Sequence, residues 1–237
     1  MSLISVERDG AVALIKLDRD EKLNAISTAM ERELHEALAS DAVRTSRAVV
    51  IAGTGRAFSA GADITELADR DPEAILRYYR ETGNVYEEFA SLPQPTLAAI
   101  HGYCLGGGLE LALAADFRIA EESAVLGFPE VGIGILPSSG GTVRATRFLG
   151  AAQAKRLILL GERLSAQDAL AAGVVTEVVD DAPDRALELA RRLAELPPAA
   201  VAVATAAIDA AAGSTDAALL VERLGYAVLS QIPPPPS

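Results

Sequence analysis

The sequence predicts an α/β protein with a helical C-terminal region. Three features carry that reading. Short apolar runs of strand character recur through the first two thirds of the chain, several of them end in glycine turns that open helical stretches, and beyond Asp184 the pattern is helical to about residue 230. Half of the 237 residues are hydrophobic and 23% are charged, which supplies a large core and excludes global disorder. No repeat of fixed period stands out, so the expected organisation is a core over residues 1–190 followed by a helical region over 191–237 with a proline-rich tail.

The elements follow in chain order. Residues 2–18 alternate in polarity around Asp9-Gly10, the pattern of a hairpin. Thr28 to Glu31 reads as a capping box, and Met30, Leu34 and Leu38 form one apolar stripe on the helix it opens. Residues 47–52 form a short buried strand ending in the Gly53 to Gly55 turn. Asp63 with Glu66 is a second capping pattern opening a short helix. Asp71-Pro72 starts a longer helix that ends near Pro93 and Pro95. Residues 96–100 are another buried strand, followed by a glycine cluster and a helical run over 107–115. Strands are expected at 117–120, 125–128 and 174–179 with helices between them, and Pro197-Pro198 breaks the final helical stretch. Ile232 leads into Pro233–Pro236, an extended tail.

Composition narrows the function. A net charge of −12 argues against a general binder of nucleic acid or anionic membrane, both of which call for a basic surface. Cys104 is the single cysteine and His35 and His101 lie far apart, so neither a disulfide framework nor a Cys- or His-rich metal site is expected. The N-terminus carries no secretory pattern and no run reaches 18 apolar residues, which leaves a cytoplasmic protein as the expectation.

Two segments end a buried strand with glycines and then open a helix: Gly55 to Ile64 and His101 to Glu110. Such glycines either permit tight packing or let a ligand approach backbone N–H groups at a helix start. Two N–H groups aimed at one point form an oxyanion hole. Glu110 lies three residues after Gly107 in an otherwise apolar helix, and Glu130 lies among apolar and glycine neighbours. Each is either a core carboxylate satisfied by backbone donors or an acid/base group, and two together could hold one water beside a carbonyl.

At these residues the sequence strongly resembles the crotonase superfamily, and within it the enoyl-CoA hydratases. Asn24-Ala25-Ile26, residues 57–64, residues 102–110, and Phe128 to Pro137 followed by Gly140-Gly141 occur in the family's order, as does Leu164 to Val179. The resemblance covers about residues 3 to 230. It implies a crotonase-like ββα spiral with two roughly perpendicular sheets, and a helical C-terminal region used to assemble a homotrimer or a hexamer of two trimers. Carried over by position, the N–H groups of Ala62 and Gly107 bind the thioester oxygen. The acyl-CoA groove is implied at Lys22, Leu23, Ala25, Ala60, Ala62, Asp63, Ile64, Gly106, Gly107, Pro129, Pro137 and Ser138. Glu110 is implied as base on the water and Glu130 as donor of a proton to the α-carbon. No metal and no separate cofactor is implied, because coenzyme A is part of the substrate.

The sequence also departs from the family. Ser138-Ser139 stands where Gly-Ala is usual before Gly140-Gly141, Thr65 stands where a basic residue often follows Ala-Asp-Ile, and after Tyr226 the family's "EGxxAFxEKR" segment does not appear. The glutamate pair favours hydration of a 2-enoyl-CoA over double-bond isomerisation or acyl-CoA binding without catalysis. Tyr78, Tyr79 and Tyr86 fall where the family builds its acyl pocket. His101 is read as structural, His35 as solvent-facing and Cys104 as a buried apolar residue.

Overall fold

The computed structural model describes residues 2–66, 73 and 84–232. Its strands divide between two sheets in a regular way. β1 (Ile4–Asp9) and β2 (Val12–Leu17) form the expected antiparallel hairpin, and β2 then pairs in parallel with β3 (Ala48–Gly53). Three successive ββ units follow: β3 with β4 (Ala57–Ser59), β5 (Thr96–Ile100) with β6 (Tyr103–Leu105), and β7 (Phe117–Glu121) with β8 (Val125–Gly127). The first strand of each unit enters a six-stranded sheet ordered β1-β2-β3-β5-β7-β10, and the second enters a four-stranded sheet ordered β4-β6-β8-β9. β9 (Arg163–Ser165) and β10 (Glu177–Val179) close the two sheets. The chain is therefore a spiral, each turn adding one strand to each sheet.

The helices are α1 (Thr28–Ala39), α2 (Asp41–Arg44), α3 (Val85–Ala90), α4 (Gly107–Ala114), α5 (Gly141–Leu159), α6 (Ala166–Ala171), α7 (Ala182–Glu195), α8 (Pro198–Ala211) and α9 (Thr215–Leu229). β3 and β5 read as continuous apolar runs because they are buried on both faces. One side packs on Phe58, Met30, Leu34 and Phe89, and the other on Ala182, Ala186 and Ala190 of α7. α4 is buried throughout, which is why it carries almost no amphipathic pattern.

Several local expectations are corrected. The cap of α1 is Ser27, whose Oγ accepts from Met30 N at 3.2 Å, so the signal sits one residue earlier than Thr28. At 63–66 the chain forms only a 3₁₀ turn, Ile64–Glu66, because Asp63 Oδ1 is taken by Thr65 and the Glu66 carboxylate reaches Thr28 instead. The helix expected from Asp71, with Tyr78 and Tyr79, lies outside the described residues apart from Glu73. α3 starts afresh at Asn84, whose side chain accepts from the N–H groups of Tyr86 and Glu87. The strand expected over 174–179 shortens to Glu177–Val179, because the N–H groups of Val174 and Val175 bond to Ala169 O at the end of α6. A second break, at 212–214, separates α8 from α9.

α8 and α9 pack chiefly on each other and leave Ile208 71% exposed and Tyr226 78% exposed. Among the described residues no single helix is long and apolar enough to cross a membrane.

Candidate active site

The site forms where the two glycine-rich strand ends meet. The first loop is fixed from below by Asn24. This side chain is fully buried: its Oδ1 accepts from Arg19 N at 2.7 Å, and its Nδ2 donates to Thr54 O at 2.8 Å and Ala57 O at 2.7 Å. Both Leu23 (φ 51°) and Asn24 (φ 53°) are left-handed, a conformation costly for leucine that the Asn24 bonds hold in place. Ser59 Oγ donates to Asn24 O at 2.7 Å and accepts from Gly61 N at 3.2 Å. Ile26 N then bonds to Gly61 O, and Asp63 N to Ile26 O, both at 2.8 Å. That bridge turns the intervening Ala62 N–H away from Ile26.

It points toward the start of α4. A Cβ built on Gly107 would lie 3.6 Å from Ala62 N and 3.1 Å from the Tyr86 hydroxyl. Gly107 opens α4 and Gly106 is its cap, with no side-chain cap bond, so the Gly107 N–H belongs to the first turn, whose donors have no helical acceptor. Neither the Ala62 nor the Gly107 N–H donates to a protein acceptor among the described residues. Two neighbouring amide donors left open at a helix start can stabilise a polarised carbonyl oxygen.

Both glutamates face the same cleft, together with Ala62, Asp63, Gly107 and Ser138. Their environments differ. Glu110 Oε1 accepts from Ser139 N at 2.7 Å and Gly141 N at 2.8 Å. Burial pushes its pKa up, opposed by those N–H groups and by the positive charge of Arg144. Glu130 is 8% exposed and its Oε2 has no hydrogen-bond partner. Burial, with the nearby Glu110 charge adding to it, raises Glu130 to about 7. Fixed N–H donors and a cation thus favour the ionised form of Glu110, while Glu130 is raised toward neutrality with a bare Oε2, an asymmetry that acid/base chemistry on adjacent carbons can use.

The remaining residues named from sequence fall around this centre. Leu23 O accepts from Ala60 N at 2.9 Å, which ties the Lys22–Ala25 loop to the Ala60–Ala62 loop along one rim. Lys22 and Ile64 are exposed there. The Asp63 carboxylate is committed inside the protein. It bonds Arg19 at 2.7 Å and Thr65 Oγ1 at 2.7 Å, and these bonds hold its pKa down to about 2. Gly106 (φ 51°) lies under Glu130, whose Oε1 would be 2.8 Å from a Cβ there. Pro137 is buried against Gly141, while Pro129 and Ser138 are exposed. His35 is exposed and paired with Glu88, and His101 Nε2 bonds to Gly55 O, both outside the cleft lining. Cys104 is fully buried, which pushes its thiol pKa up. Ser138 and Ser139 have no histidine among the lining residues.

Other parts of the lining were not expected in the site from sequence: Thr28, Glu31 and Glu66, read there only as helix caps, with Ile135, Leu136 and the Ser139 N–H. Among the described residues no group of His, Cys, Asp and Glu is disposed to hold a metal ion.

Residues 7–225 match the family model described as enoyl-CoA hydratase/isomerase. The chain belongs to that family. A Rhizobium meliloti protein named "Probable enoyl-CoA hydratase" is 44% identical over 191 residues, which are 80% of this chain and 73% of that one. The Escherichia coli 2,3-dehydroadipyl-CoA hydratase is 38% identical over 88% of this chain and 82% of its own. The crystal structure of enoyl-CoA hydratase from Thermoplasma volcanium superposes with a TM-score of 0.91 at 36% identity, covering 98% of this chain and 94% of that one. The two sheets and C-terminal helices are therefore the crotonase fold, and the family acts on enoyl-CoA thioesters.

Proposed function

We propose that this protein hydrates the 2,3 double bond of a trans-2-enoyl-CoA to give a 3-hydroxyacyl-CoA. The observation that carries the reading is the unequal pair of glutamates beside two open N–H donors. Glu110 takes a proton from water as the water oxygen bonds to C3. The displaced π electrons move to the thioester oxygen, and the resulting enolate is held by the N–H groups of Ala62 and Gly107. Glu130, protonated in its apolar setting, delivers its proton to C2 as the enolate collapses. Proton transfer between the two carboxyl groups restores the starting state. These steps call for no cofactor beyond the coenzyme A of the substrate.

The coenzyme A part runs along the rim formed by Lys22, Leu23, Ala25, Ala60 and Ile64, with Gly106, Pro129, Pro137 and Ser138 opposite. Asp63 contributes by shaping the loop, since its carboxylate is committed to Arg19 and Thr65. The exposed apolar faces of α8 and α9 support self-association into a trimer or a pair of trimers, which light scattering on the purified chain would read directly.

The test follows the ultraviolet band of crotonyl-CoA. Wild type should bleach it with formation of the 3-hydroxy thioester, and Glu110→Gln and Glu130→Gln should each lose about a hundredfold or more in rate. A folded wild type that leaves the band untouched across several chain lengths refutes hydration. If it instead generates the band from a 3-enoyl-CoA, the chemistry is isomerisation.

A further inference from the structure

The two catalytic candidates sit in one cleft, and something must decide which of them carries the charge. Arg144, on the first turn of α5, lies behind Glu110 with its side chain only 12% exposed. Its Nη1 donates to Ser139 O at 3.0 Å, and the N–H of the same residue donates to Glu110 Oε1 at 2.7 Å. Nη2 donates to Glu87 Oε1 at 2.7 Å on α3, the helix that also brings Tyr86 to the cleft. Gly140 (φ 101°) makes room for this arrangement, because a Cβ there would strike the guanidinium.

Among the described residues the other charged groups around Glu110 are carboxylates: Glu130 from the turn after β8, Glu31 from α1, Glu66 from the turn after Asp63, and Glu87 from α3. Asp63, in the same lining, is paired with Arg19. Among the described residues Arg144 is the cation that acts on Glu110, whereas the charge acting on Glu130 is Glu110 itself.

We propose that Arg144 is the positioning residue of the pair: gripped by Glu87, it fixes the Ser139 segment that holds Glu110 and supplies the positive charge that keeps Glu110, rather than Glu130, ionised. This rests on the hydratase reading for its kinetic consequence only. The chain of bonds runs Glu87, Arg144, Ser139, Glu110, and each bond polarises the next.

The experiment compares Arg144→Met and Arg144→Lys with wild type. In kcat/KM for crotonyl-CoA against pH, Arg144→Met should move the acidic limb upward by about one pH unit, because losing a cation makes Glu110 harder to ionise. At a pH below both limbs this reads as roughly a tenfold loss, with KM little changed. Arg144→Lys should keep the limb near its wild-type position yet lower kcat, because an ammonium cannot span both Ser139 O and Glu87 as a guanidinium does. A substrate-free arm follows the carboxylate infrared band that Glu110→Gln abolishes. That band should titrate higher in Arg144→Met and unchanged in Arg144→Lys. It needs no turnover, so a protein that fails to hydrate refutes the reaction while leaving this arm to judge Arg144. A folded Arg144→Met with both the limb and the band unmoved overturns the proposal, and so does an Arg144→Lys variant whose band shifts. If the methionine variant does not fold, the lysine variant decides alone.

Discussion

Glu130 should make the protein less stable as pH rises through neutrality, and Glu130→Gln should abolish that loss. The side chain is nearly buried, and its Oε2 meets no donor. Its carboxyl is raised from 4.5 to about 7. That separation corresponds to an upper figure of about 3 kcal/mol between the protonated and ionised folded states. In the unfolded chain the carboxyl ionises near its ordinary value, so between the two pKa values the folded state holds a proton that the unfolded state has lost. Stability therefore falls with pH across this window and levels off above about 7. Between pH 5.5 and 8.5 the Glu130 contribution changes by about 2 kcal/mol, fully expressed at the higher pH. Glutamine has a similar shape and does not ionise, so the variant should lack this part of the slope. Urea denaturation of both proteins at pH 5.5, 7 and 8.5 gives the comparison, with the denaturant slope checked for constancy. The variant should gain stability over wild type by about 2 kcal/mol across the range while losing its hydration rate. Parallel pH profiles for the two proteins would refute a Glu130 held protonated by burial, and with it the assignment of Glu130 as the acid.

Other consequences can be checked separately. Asn24→Ala strips three bonds from a buried turn and should cost about 2 to 4 kcal/mol in urea denaturation; a cost under about 1 kcal/mol would show that the left-handed turn holds without them. Gly106→Ala must fit a Cβ at φ 51° against Glu130 Oε1, and should lose about a hundredfold in turnover while remaining folded, as read by circular dichroism alongside kinetics. Ser59→Ala removes the hydroxyl that joins Asn24 O to Gly61 N. It should shrink the red shift of a conjugated enoyl thioester on binding, since the Ala62 N–H is less firmly aimed; an unchanged shift would show that the loop keeps its shape unaided.

Much of this site was legible in the chain because its local signals do not depend on distant partners. The Asp9-Gly10 hairpin, the apolar runs of β3 and β5, and the glycines before α4 each follow from preferences of a few residues. Glu110 and Glu130 stood out because a carboxylate in an apolar segment needs a reason. Where the reading slipped, a partner far along the chain had decided the matter. Ser27 rather than Thr28 caps α1, and Thr28 instead meets Glu66. Asp63 lies in the cleft lining, but its carboxylate is held by Arg19 and Thr65, partners its local sequence did not show. The short strands β4, β6 and β9 have three residues each, too few for a period, and exist because they pair within one sheet, β4 with β6, β6 with β8 and β9 with β8.

By itself the sequence determined the α/β alternation, the family and the identity of the two glutamates, because composition, glycine placement and motif order are properties of the chain. The tertiary structure alone decided how those glutamates differ. Ser139 and Gly141 N–H groups and the Arg144 charge converge on Glu110 from α5 and the loop before it, while Glu130 meets no donor at Oε2. Two identical side chains acquire different proton affinities only through what folding places beside them.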